Sequence, residues 1–257
     1  MIERSEKDQH FNPQKGQGVT NGLYGSSANG AIKVQSSWNE QLVEVSVFLF
    51  LIVPSMALSF FAVKQGSLSF VLVAFATILR DLALVSLILF FLWRNGEPIN
   101  WIGWTFKNSW KEIGLGIGLY IPFFIAAGFL ERALQVAGLS VPSTPLPSMA
   151  AKGMGELLLA IALVAVVALG EETIFRGYLI LRLKAITTSP TAAALLSAVI
   201  FSLGHGYEGS AGVVTVGVMG VIFALIYIWR QSLVAPIVMH FLQDFISIVL
   251  LPWLGKG

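Results

Sequence analysis

Apolar residues gather into long stretches separated by short polar breaks, at roughly 42–63, 68–93, 113–137, 155–184, 191–206, 212–229 and 233–251. A bilayer offers no water to the backbone, so a spanning segment closes its own hydrogen bonds as a helix of about 20 apolar residues. Seven such stretches predict an all-α polytopic membrane protein. The fifth stretch is short. The fourth is long and carries charge in its middle.

The breaks divide the chain. Residues 1–40 are polar and rich in Gly, Ser and Asn, and read as a flexible solvated tail with no early apolar run of a secretory signal. Residues 41–137 hold three helices. Residues 138–154, with Pro142, Pro145 and Pro147, read as a loop, and residues 155–251 hold a further four helices. Gly114, Gly116 and Gly118 contain a GxxxG spacing on the third helix, which predicts close helix packing.

Composition agrees. Charged residues make up 12% of the chain and mean hydropathy is +0.78, against about 25% charged in a soluble domain. The absence of cysteine excludes a thiol nucleophile, a disulfide framework and cysteine-based metal sites. The 16 basic residues are scattered and the net charge is only +2, which argues against nucleic acid as a partner. Outside the spans, Arg4, Lys7, Lys15, Lys33, Arg94, Lys107, Lys111, Arg182, Lys184 and Arg230 fall on one side, and Lys64, Lys152 and Lys256 on the other. Ten against three places the N-terminus in the cytoplasm of a cell-membrane protein.

Ionisable groups at membrane depth are costly and each needs a reason. Adjacent Arg80 and Asp81 on the second helix read as a structural pair or a contact to another helix. Glu44 and the Glu131–Arg132 pair lie near helix ends and read as interfacial anchors. The fourth stretch carries adjacent Glu171 and Glu172 with Arg176 one turn on. Neighbouring carboxylates in hydrocarbon repel, and Arg176 at i+4 can neutralise Glu172 and leave Glu171 free. The fifth ends at His205, on one face with Phe201. The seventh carries His240 and Asp244 at i and i+4, where the carboxylate can orient the imidazole. Taken singly, each of these has a structural reading as good as a catalytic one.

Position strengthens them. The fourth and fifth helices form a hairpin turning near Thr188–Ser189. Glu171 and His205 each lie about 16–18 residues from it, hence at a similar depth of roughly 25 Å. His240 and Asp244 lie nearer their own turn, roughly 12–20 Å deep. His10, in the tail, is the only histidine outside this constellation.

Three ordered motifs now stand out: EExxxR at Glu171–Arg176, FxxxH at Phe201–His205 and HxxxD at His240–Asp244. In these the chain resembles the CAAX protease and bacteriocin-processing (CPBP, or Abi-type) intramembrane proteases, over roughly residues 155–250. That resemblance implies a four-helix catalytic core and, because extra N-terminal helices are common in the family, an alternative count of eight spans. It implies an intramembrane endopeptidase, known in bacterial and eukaryotic forms, acting on prenylated C-terminal peptides, bacteriocin leaders or membrane-anchored regulators. Membrane lipid and a peptide or protein substrate would be its partners. Asp244 stands where the eukaryotic prenyl-protein proteases carry asparagine. An ionised aspartate has no hydrogen to give an oxyanion, so histidine orientation or metal ligation suits it better.

On this reading Glu171 is the general base and His205 helps hold the water. His240 stabilises the oxyanion or protonates the amine. Glu172 pairs with Arg176 or shares the base role, and Phe201 is structural support. Alternatively His205, His240 and Glu171 bind Zn2+ and leave a coordination position for water, although the compact HExxH motif is absent. Two further readings compete: a non-catalytic immunity or scaffold protein of the same family, and a proton-relaying transporter. The inverted repeats expected of the latter are not seen.

Overall fold

The computed structural model describes residues 37–65, 69–140 and 151–255. Residues 1–36 of the tail and 141–150 of the 138–154 loop therefore lie outside the described residues, and the last tail residues, from Trp38, already belong to the first helix. Helices α1 (Trp38–Gln65), α2 (Phe70–Arg94), α3 (Ser109–Val136), α4 (Met154–Thr187), α5 (Pro190–Leu203), α6 (Gly209–Arg230) and α7 (Val234–Leu254) follow in order. Six are long and apolar enough to cross a bilayer, and α5 is the shorter one. The protein is an all-helical, multi-pass membrane protein.

The helices sort into a centre and a rim. Within their most apolar windows, 44% of α4 and 50% of the α6 segment is buried against protein, but only 17–28% of α1, α2 and α3. The rim faces carry large exposed apolar residues such as Phe50, Phe75, Leu79, Ile121 and Phe129. Such surfaces suit hydrocarbon. The centre is built around α4: its residues Ile174, Tyr178 and Leu179 pack with Phe48, Ile88, Phe201 and Phe223 from four other helices.

α4 is not uniform. Its middle, Glu172–Leu179, widens into a π-helical stretch, and all eight residues are buried. The local cause is legible. The Thr173 hydroxyl donates to the Leu169 carbonyl at 2.7 Å and accepts from Trp104 Nε1 at 3.1 Å. A hydroxyl bonding back to i−4 loosens and bends a helix. Ser197 Oγ on α5 donates to the Phe175 carbonyl at 2.6 Å and fastens the two helices there. The hairpin between them is set by Thr188 in the left-handed region, φ 57°, by the Ser189 side chain capping Ala192 N, and by Pro190 at the first turn of α5.

Two sequence readings need correction. In the GxxxG spacing, Gly114 and Gly118 face open space. Gly116, between them, makes the close approach: a β-carbon there would lie 2.9 Å from the Ala235 carbonyl oxygen of α7. Glu44 is buried and is no interfacial anchor. It binds Arg94 Nη2 at 2.5 Å, Asn95 Nδ2 at 2.7 Å, Arg182 Nη2 at 3.0 Å and Tyr178 Oη at 3.2 Å. Arg182 also forks onto Glu97. These bonds tie the start of α1, the end of α2 and the end of α4 into one polar knot at one end of the bundle.

Candidate active site

α4 and α7 bring five of the sequence-predicted residues together. Glu172 is fully buried and its Oε1 accepts two charge-assisted bonds, from Arg176 Nη1 at 2.9 Å and from His240 Nδ1 at 2.8 Å. Arg176 is itself held between rings, with its guanidinium carbon 4.3 Å from the Phe201 centroid and 5.4 Å from that of Phe223. The i+4 pairing expected for Glu172 and Arg176 is therefore present. Its consequence is that Glu172 fixes His240.

The bond to Glu172 settles which edge of His240 is free. A carboxylate paired to an arginine can only accept, so Nδ1 carries a hydrogen and donates. Nε2 then points to Asp244 Oδ2 at 3.5 Å and Glu171 Oε2 at 3.8 Å. Glu171 keeps an unspent atom: its Oε2 is buried and has no hydrogen-bond partner. A carboxylate oxygen left unsatisfied at this depth is expensive, and a substrate or a water is the natural partner for it.

His205 stands slightly apart. The sequence places it inside the fifth span, but α5 ends at Leu203. His205 occupies the turn before the short 3-10 segment Gly206–Glu208. Gly204 and Gly206 flank it and explain the early stop. Its Nδ1 bonds the Phe201 carbonyl at 3.0 Å. A carbonyl only accepts, so Nδ1 carries the hydrogen and Nε2 presents a lone pair when the ring is neutral. Phe201 links the two histidines: its ring centroid lies 4.7 Å from that of His205 and 6.1 Å from that of His240.

For zinc, the fit is poor as the side chains stand. With Nδ1 on Glu172, His240 has Nε2 to offer a metal. But among the described residues no group of three or more His, Asp and Glu side chains is arranged to hold a metal ion.

Residues 153–246 match the family model described as Rce1-like, Type II CAAX prenyl endopeptidase Rce1-like. That segment is similar to the Rce1-like family over well under half of the chain. The match runs from the start of α4 through Asp244 of α7, and so spans all three motifs. Comparison with curated proteins and with solved structures gives no match.

The sequence reading missed two neighbours that lie outside the Rce1-like segment. The pair or helix contact expected of Arg80 and Asp81 of α2 is a pair, at 2.8 Å. They also border the site, with Arg80 Nη2 3.9 Å from Glu171 Oε1. The available signal was an arginine–aspartate pair at mid-span of an otherwise apolar helix.

Proposed function

We propose that the protein is an intramembrane endopeptidase in which Glu171 activates the attacking water. The observation that carries this is the buried, unpartnered Glu171 Oε2 opposite His240 Nε2 at 3.8 Å. In the proposed reaction the Glu171 carboxylate takes a proton from water, and the hydroxide adds to the scissile carbonyl. In its imidazolium form His240, with Nδ1–H held by Glu172 behind it, donates Nε2–H to the oxyanion and keeps that proton through the step. The lone pair on His205 Nε2 steadies the water. The proton held by Glu171 passes to the leaving nitrogen as the C–N bond breaks. Asp244 orients His240 from the other side, and Arg176 holds Glu172 in place. No step runs through a metal.

The family description, Type II CAAX prenyl endopeptidase, points to prenylated C-terminal peptides as substrates, with leader peptides as the alternative class. A water-activating carboxylate between helices suits a peptide bond presented from the membrane. We place the end carrying Arg94, Lys107, Lys111, Lys184 and Arg230 at the cytoplasmic face.

The test is cleavage of a quenched, farnesylated CAAX peptide by full-length protein in liposomes. Wild type should cut it, and Glu171→Ala and His240→Ala should each lose roughly 100-fold or more in kcat. Activity should survive a chelator. Equal cutting by Glu171→Ala would overturn the assignment. A biological phenotype surviving both substitutions without any cleavage would favour the scaffold reading.

A further inference from the structure

The Rce1-like segment is not the whole site. We propose that Arg80 of α2, braced by Asp81, is a positioning residue that holds the Glu171 carboxylate in its working orientation. This rests on the reading of Glu171 as the base.

Three observations carry it. First, Arg80 is built into place. Its Nε and Nη2 both reach Asp81 Oδ1 at 2.8 Å, and Asp81 is 1% exposed. A two-point grip on a planar guanidinium fixes its direction as well as its position. Second, α2 meets α4 beside the base. A β-carbon on Gly170 would lie 3.1 Å from Asp81 Cβ, so the absence of a side chain next to Glu171 sets how closely the pair can approach. Third, Arg80 Nη2 is 3.9 Å from Glu171 Oε1, while Glu171 Oε2 is the atom left without a hydrogen-bond partner. The carboxylate thus has one oxygen turned to the guanidinium and one turned to His240.

The division of labour follows. An isolated glutamate on an apolar helix has several rotamers and no reason to prefer the one facing His240. A cation on the opposite side selects that rotamer and compensates the charge that the base carries before it takes a proton. Asp81 prevents Arg80 from folding onto Glu171 as a closed bidentate pair, which would consume both oxygens. Glu172 needs no such help because Arg176, on the same helix, serves it. The base is therefore completed by a helix outside the family-matched segment.

The experiment uses full-length protein in liposomes with the quenched farnesylated CAAX peptide. Arg80→Gln, Arg80→Lys and Asp81→Asn are compared with wild type, with Glu171→Ala, and with Arg230→Gln as a control that breaks an ion pair outside the cluster. Arg80→Gln should lower kcat by roughly 30–100-fold with KM within about threefold, because misplacing a reacting group costs rate more than binding. Arg80→Lys should recover a substantial part of kcat, and Asp81→Asn should fall between. Thermal midpoints in detergent should not follow that order, and Arg230→Gln should cut as wild type.

Full kcat in Arg80→Gln would overturn the inference. So would a loss confined to KM, or a Lys variant as inactive as Gln. If Arg80→Gln does not fold, Asp81→Asn decides: unchanged kcat overturns the proposal. The two readings fail separately. Glu171→Ala cutting as wild type sinks the base itself. An inactive Glu171→Ala beside a fully active Arg80→Gln sinks only the role of Arg80.

Discussion

His240 has two edges and two different neighbours. Its Nδ1 edge is held by Glu172 at 2.8 Å, and its Nε2 edge lies 3.5 Å from Asp244. The closer contact is also the charge-assisted one with a buried arginine behind it. Glu172→Gln should therefore cost roughly 100-fold in kcat, and Asp244→Asn less than about tenfold. The two kinetic constants, measured on the same peptide, check this order. Glu172→Ala should in addition destabilise the fold by about 3–5 kcal/mol, because it leaves Arg176 buried without its partner. A detergent melt or denaturant titration reads that loss. At this scale the sequence carried much of the cluster. Spacing alone paired Glu172 with Arg176 and His240 with Asp244. It did not show that Glu172 would turn to a histidine 68 residues away. That contact depends on how α4 and α7 cross, and no local pattern encodes a crossing.

The helix that matters most is α4. Its π-helical middle keeps Glu172 and Arg176 on the side of His240 while Glu171 turns toward α2. Gly177 lies within that stretch, and a β-carbon there would sit 2.7 Å from the Ile102 carbonyl oxygen. Gly177→Ala should therefore push the Ile99–Ile102 turn off α4 and destabilise the protein by about 1–3 kcal/mol. The melting midpoint checks it. Helix number and limits were legible because apolar runs near 20 residues have few other uses. The predicted 155–184 and the observed Met154–Thr187 differ by only a few residues. The π widening was not legible, since it arises from the Thr173 hydroxyl and its packing against Trp104. The GxxxG spacing misled for a related reason: a pattern names the spacing of glycines, not the face that meets a neighbour.

Across the whole molecule, one end is marked by both charge and aromatic rings. The knot of Glu44, Arg94, Glu97 and Arg182 joins the start of α1 to the ends of α2 and α4. Arg230 of α6 pairs with Glu112 of α3 at 2.6 Å. Exposed Trp38, Trp93, Trp110 and Trp229 sit at these same helix ends, as interfacial tryptophans do. Arg182 is 1% exposed, so Arg182→Gln should cost about 3–5 kcal/mol by stranding buried carboxylates. It should leave kcat of the folded fraction near wild type, because the knot lies away from the Glu171 cluster. The sequence reading of Glu44 as an anchor failed here because a glutamate near a helix end looks the same whether water or two arginines satisfy it.

These scales meet at one atom, the unpartnered Oε2 of Glu171. The most direct measurement is the single-turnover cleavage rate of the farnesylated CAAX peptide by Glu171→Gln beside wild type in liposomes. The substitution keeps the side chain's shape and removes its basicity. A rate lowered by roughly 100-fold or more with unchanged peptide binding is the predicted result. Cleavage at the wild-type rate would contradict the account.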